Sequence, residues 1–121
     1  MNVEQFREYC LSLPHVLEYF PFDEVTLVFK VGGMEGKIFA FLPLDASPAS
    51  ANLKCDPDRS IELREEYPQI IPGFHMNKKH WNTVYIEDGL THKMLKELID
   101  HSYDLVYQSL PKKLRTSLEN E

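Results

Sequence analysis

Apolar residues recur along this chain with two periods, and each period predicts a different element. Val3, Phe6, Cys10 and Leu13 follow helical spacing. Asn2 stands where an N-cap would, with Gln5 three residues later as its capping-box partner, and Pro14 ends the segment. His15 to Phe22 reads as a short extended stretch broken by Pro21. Thr26–Val31 and Lys37–Leu42 read as strands, joined by the glycine-rich hairpin loop Gly32-Gly33-Met34-Glu35-Gly36. Ala51–Cys55 is a third strand. Asp56-Pro57 then opens a helix, an acidic cap followed by proline at the first helical position, and this helix stops before Pro68. Thr83–Ile86 is a further strand, closed by the turn pair Asp88-Gly89. Thr91 caps a last long helix ending near Leu110-Pro111, with Leu95, Ile99, Ser102, Val106 and Leu110 in one stripe and Met94, Leu98 and Leu105 widening it. Tyr103 and Tyr107 flank that stripe as core rim. The tail from Lys112 is mixed in charge and is expected to fray.

Consecutive strands with short connections favour antiparallel pairing. The expected fold is therefore α+β: a two-layer sandwich with an antiparallel sheet and the N- and C-terminal helices packed on one face. The 121 residues suit a single domain over 1–121, enough for one core. No apolar run approaches the ~20 residues that span a bilayer, and the first residues lack a signal-peptide pattern, so a cytoplasmic monomer is expected.

Charge changes this picture in one respect. The net charge is −6, yet residues 1–70 hold six basic and twelve acidic groups while residues 71–121 hold seven of each. The excess acid lies upstream of the run Ile71-Pro72-Gly73-Phe74-His75-Met76-Asn77-Lys78-Lys79-His80-Trp81-Asn82. That run carries two of the five histidines, the single tryptophan, a basic pair and no acid. Lys78 and Lys79 can neutralise phosphates, and Trp81 or Phe74 can stack on a base. The competing expectation is structural: both aromatics buried, the lysines merely solvated.

Other chemistries are poorly served. His75 and His80 are five residues apart with no carboxylate between them, which does not suit a metal. The glycine loop lacks the phosphate-loop sequence. Cys10 and Cys55 form no C-x-x-C pair, and nothing resembles a nucleophile elbow. Asp58, Glu62, Glu65 and Glu66 make an acidic helical face, expected to be solvated rather than metal-binding. No cofactor and no enzymatic activity are expected.

Leu13-Pro14, Glu18-Tyr19-Phe20-Pro21-Phe22, Val28-Phe29-Lys30-Val31-Gly32-Gly33, Lys37-Ile38-Phe39-Ala40, Pro72 to Val84 and Ile99 to Val106 together resemble the MmcQ/YjbR family. The resemblance covers nearly the whole chain, and its most specific piece is the His-Met-Asn-Lys-x-His-Trp run. It implies a CyaY/frataxin-like α+β sandwich, bacterial origin and DNA binding through a pair of β wings. The expected function is thus non-enzymatic, weak and salt-dependent DNA binding. Lys37, Lys54, His75, Asn77, Lys78, Lys79, His80 and Trp81 are its candidate surface. The alternative is a small-ligand or protein-binding module with a pocket at His75–Trp81.

Overall fold

Asn2 begins the first helix by accepting the backbone N–H of Gln5 at 2.7 Å, while the Gln5 side chain accepts the N–H of Asn2 at 2.9 Å. These two bonds satisfy donors that a helix start otherwise leaves open. In the computed structural model, which describes residues 1–74 and 76–121, helix α1 covers Val3–Ser12. Strands β1 (Val16–Tyr19), β2 (Thr26–Val31), β3 (Lys37–Pro43) and β4 (Ser50–Lys54) follow as a meander. Helix α2 (Pro57–Glu66), strands β5 (Ile70–Pro72) and β6 (Trp81–Tyr85), and helices α3 (His92–Ser109) and α4 (Lys112–Glu119) complete the order.

All six strands pair antiparallel, in the order β1-β2-β3-β4-β6-β5. The expected α+β architecture is therefore the observed one. One sheet face packs on the helices. Phe6 of α1 and Leu95, Ile99 and Val106 of α3 meet Leu27, Phe29, Val31, Leu42, Leu53 and Val84 of the strands. The predicted α3 stripe is buried throughout, Leu110 included. Ser102 in that stripe has a polar reason to be there. Its hydroxyl donates to the Phe39 carbonyl at 2.6 Å and accepts the Lys54 N–H at 2.8 Å, pinning α3 to β3 and β4.

Three elements depart from the sequence expectation. The tail is helical: residues 112–119 form α4, in which Leu118 is 8 % exposed. An isolated segment of this length is marginal, and the docked leucine supplies what propensity does not. The glycine-rich loop holds a short 3-10 turn at Gly33–Glu35. Strand β5 is an addition to the expected elements, because three residues ending in proline carry almost no periodic signal.

A register irregularity between β2 and β3 decides which side chains reach each face of the sheet. Phe29 pairs with Ala40 and Lys30 with Ile38, leaving Phe39 as an extra residue. Such a bulge reverses the alternation of side chains beyond it. Phe41 and Ile38 consequently face away from the helices, while Phe39, Ala40 and Lys37 face toward them.

Candidate nucleic-acid interface

The helix-free face of the sheet is built from residues that cross-strand pairing places side by side. Val28 opposes Phe41, Phe41 opposes Asn52, Asn52 opposes Thr83, and Lys54 opposes Trp81. The rings interlock: Phe22 stacks on Phe41 at 6.4 Å and 11°, and Phe41 meets Trp81 edge-on at 5.4 Å and 75°. Between them Thr83 donates its hydroxyl to Asn52 Oδ1 at 2.6 Å. Val28 is fully buried, flanked across the strands by Tyr19 and Phe41.

Gly73, Phe74 and residues 76–80 close one end of this face, and the backbone of 77–81 is held by short-range bonds. Asn77 accepts the N–H of Lys79 through Oδ1 at 3.0 Å, and its carbonyl accepts the N–H groups of His80 and Trp81 at 3.1 and 2.9 Å. An asparagine side chain bonding two residues ahead is a turn device, so Asn77 shapes the loop. Gly73 donates to the Trp81 carbonyl at 2.9 Å, and a β-carbon there would lie 3.1 Å from that same oxygen. The His80 carbonyl accepts the Cys55 N–H at 2.8 Å, tying the loop to the end of β4.

Helix α2 clamps the loop from the core side. Arg64 donates Nε to Asn82 Oδ1 at 2.7 Å and a second nitrogen to the Lys78 carbonyl at 2.5 Å. Asn82 is 2 % exposed and donates on to the Ser60 hydroxyl at 3.2 Å. Sequence reasoning missed Arg64, Ser60 and Asn82. The first two lie on the helix read only as acidic, and nothing in their spacing pointed to a loop further along the chain.

The candidate residues do not all share one surface. Lys54 and Trp81 are cross-strand partners on the open face. Lys78 and Lys79 are exposed on the adjoining loop, and Lys78 Nζ sits 5.0 Å from the centroid of the Phe74 ring. Among the described residues, Lys54, Lys78 and Lys79 make no ion pair. His80 is half-buried in the turn, whereas His75 lies outside the described residues. Lys37 does not belong to the group. The bulge at Phe39 turns it to the helix side, where Nζ donates to the Ser109 carbonyl at the end of α3 at 3.1 Å. The expectation of two buried aromatics is also corrected. Phe74, in the loop, is 58 % exposed, and Trp81 is only half-buried because it lies on the uncovered face of the sheet.

The charge distribution around this face is polar along the strands. Of nineteen acidic residues only Glu18 lies in a strand, and it faces the helices, gripped by two Arg7 nitrogens. The loops at the far end carry Asp23, Glu24, Asp45, Glu87 and Asp88 and no lysine or arginine. The near end carries Lys54, Lys78 and Lys79. Its acids are Glu35, in the β2–β3 loop, Asp56, whose Oδ2 is occupied in capping α2, and Glu121, which lies 3.4 Å from His15 Nδ1. A net charge of −6 thus coexists with a strand face that, among the described residues, carries only the charges of Lys30 and Lys54.

Other groups suit structure rather than catalysis. Cys10 and Cys55 are buried, and burial pushes both thiols up, away from the reactive thiolate. Among the described residues no three histidine, cysteine or carboxylate side chains gather as a metal set. A groove of about 590 Å³ lies between α2 and the start of α3, lined by Leu63, Tyr67 and Met94, away from the loop.

The comparisons with known proteins agree with this architecture. A model of the YjbR family matches residues 11–105. The chain is 39 % identical over 110 residues to YbdF of Escherichia coli O157:H7, covering 91 % of this chain and 88 % of that protein. It is 28 % identical over 118 residues to YjbR of Escherichia coli K12, covering 98 % of each. Neither relative's name states an activity. The crystal structure of DR2400 from Deinococcus radiodurans, described as a DUF419 domain, superposes with a TM-score of 0.90 at 43 % identity, covering 98 % of this chain and 88 % of that one. A Pseudomonas syringae protein superposes with a TM-score of 0.75 at 28 % identity, covering 88 % and 99 %. With a family match over most of its length and a like-sized relative at this identity, the chain belongs to the YjbR family.

Proposed function

We propose that this protein is a non-enzymatic DNA-binding domain. Its contact surface is the basic end of the open sheet face together with Phe74, Lys78 and Lys79 of the adjoining loop. One observation carries the reading: Lys54, Lys78 and Lys79 converge at one end of a strand face that holds no carboxylate, in a protein that is acidic overall. Uncompensated lysines release counterions from a phosphate chain on contact, the main source of affinity for nucleic acid. Trp81 and Phe74 stand among them and offer apolar planes. Three or four phosphate contacts give weak binding that falls steeply with salt.

The experiment is fluorescence anisotropy with labelled DNA, single-stranded and duplex, at low and physiological salt. Binding at low salt, lost when Lys54, Lys78 and Lys79 are changed together to glutamate, supports the reading. No binding of either form at low salt overturns it.

A second reading, recognition of a protein, has its own observation. Phe20, Phe22, Val25 and Leu44 are 46, 69, 39 and 44 % exposed at the acidic end of the sheet. Leu44 donates its N–H to the Val25 carbonyl at 2.7 Å, so two of the four lie on adjoining backbone. Binding to a protein there would survive the lysine changes and fail on Phe22→Ser.

A further inference from the structure

The proposed DNA surface has a direction, and its chemistry selects one form of DNA. Lys30 on β2, Lys54 on β4 and Trp81 on β6 share the open face, all in the half of the sheet nearer the basic loop. They therefore line up across the strands. Adjacent strands lie about 4.8 Å apart, so Lys30 and Lys54, two strands apart, are separated by about 10 Å. Beyond Trp81 the line continues into Phe74, Lys78 and Lys79. Aromatic planes and cations thus share one band, running perpendicular to the strands.

A duplex does not match this band. Its bases are stacked on one another at about 3.4 Å per step, leaving no free π-face for Trp81 or Phe74. The charged and aromatic groups presented here stand on sheet strands and the adjoining loop rather than on a helix that could enter a major groove. An unstacked strand offers what the band can use: a base plane for each aromatic ring and a phosphate chain for the lysines between them. The far end of the face is closed to a phosphate chain by Asp23, Glu24, Asp45, Glu87 and Asp88. Asp23 is held in place there, accepting the N–H groups of Val25 and Thr26 at 2.9 and 2.7 Å.

Resting on the DNA-binding reading, we infer that the ligand is single-stranded DNA. It lies across β2, β3, β4 and β6 along the basic rim, with bases stacked on Trp81 and Phe74. The acidic loops confine it to a short footprint. Phe22, although the most exposed ring beside the face, belongs to the acidic end and lies outside the track.

The test is equilibrium binding to a ten-nucleotide oligothymidine and to a twenty-base-pair duplex at 20 mM salt, followed by anisotropy and by emission of Trp81, the only tryptophan. The expected result is at least tenfold tighter binding of the single strand, with Trp81 emission quenched as it binds. Phe74→Ala, a change at an exposed position, is expected to cost single-strand affinity on the order of tenfold. Phe22→Ala is expected to leave it unchanged. Duplex binding as tight as or tighter than single-strand binding overturns this inference and leaves the DNA-binding reading intact. So does single-strand binding that Phe74→Ala does not weaken or that leaves Trp81 emission unchanged. Absence of binding to both forms overturns the two together.

Discussion

Arg64 on α2 and Asn82 in β6 are joined by a 2.7 Å bond from Nε to Oδ1, between a half-buried guanidinium and a buried amide. The same guanidinium reaches the Lys78 carbonyl, so a single side chain fixes both the strand and the loop before it. Removing it leaves the Asn82 amide oxygen buried without this donor. Such an orphan costs about 1–3 kcal/mol. Arg64→Ala is therefore expected to lower stability by about 2 kcal/mol, read by urea unfolding, and to loosen the loop 73–80 in hydrogen exchange. Arg64→Lys, with one compact donor group in place of the fork, restores part of the stability but not both contacts.

Glycine is required at two close approaches. A β-carbon on Gly36 would collide with the Val31 carbonyl oxygen, and one on Gly73 would stand 3.1 Å from that of Trp81. Backbone cannot step aside as a flexible side chain can. Gly36→Ala is expected to cost about 3 kcal/mol or prevent folding, and Gly73→Ala about 1 kcal/mol. Thermal unfolding of the two variants should rank them in that order.

His101 gives stability a pH dependence. Its Nε2 accepts the Asp56 N–H at 3.1 Å, which requires the neutral ring. Burial, helped by the nearby charge of Arg59, lowers its pKa below the ordinary histidine value. The unfolded chain then binds the proton more readily than the folded one, so the contribution is fully present above about pH 6.5 and fades as pH falls below it. Stability measured from pH 7.5 to 5 should decline, and His101→Gln should flatten that part of the curve.

The salt response of DNA binding counts the contacts. Each phosphate neutralised on a single strand adds about −0.7 to the slope of log K against log salt. Three lysine contacts predict a slope near −2. Lys54→Gln, Lys78→Gln and Lys79→Gln should each remove about one such step. Lys37→Gln should remove none, because its ammonium caps the carboxyl end of α3.

Much of the fold was legible because its long elements are strongly periodic. The α3 stripe, the capping box at Asn2 and Gln5, and the β2–β3 hairpin each follow from spacing and end signals alone. Two things were not legible. The side on which Lys37 emerges depends on one extra residue at Phe39, and simple alternation contains no sign of it. The docking of α4 depends on Leu118 meeting a distant part of the chain, whereas local composition suggested only a charged tail. At the candidate site, the basic aromatic run was visible in sequence. Its setting was not, since the pairing of Lys54 with Trp81 and the grip of Arg64 are products of tertiary register.

The separation of lysines and carboxylates to opposite ends of the sheet has a consequence for the protein's behaviour with its own kind. It gives each molecule an electric dipole along the strands, so two copies attract when the basic end of one meets the acidic end of the other. That contact is head-to-tail and leaves both outer ends free to repeat it, which is the geometry of an open chain rather than a closed pair. The attraction acts within a screening length of about 10 Å at 0.1 M salt. Concentrated protein should therefore scatter more light at low salt and less as salt rises. A polyanion that occupies the basic end would cap the chain and disperse it.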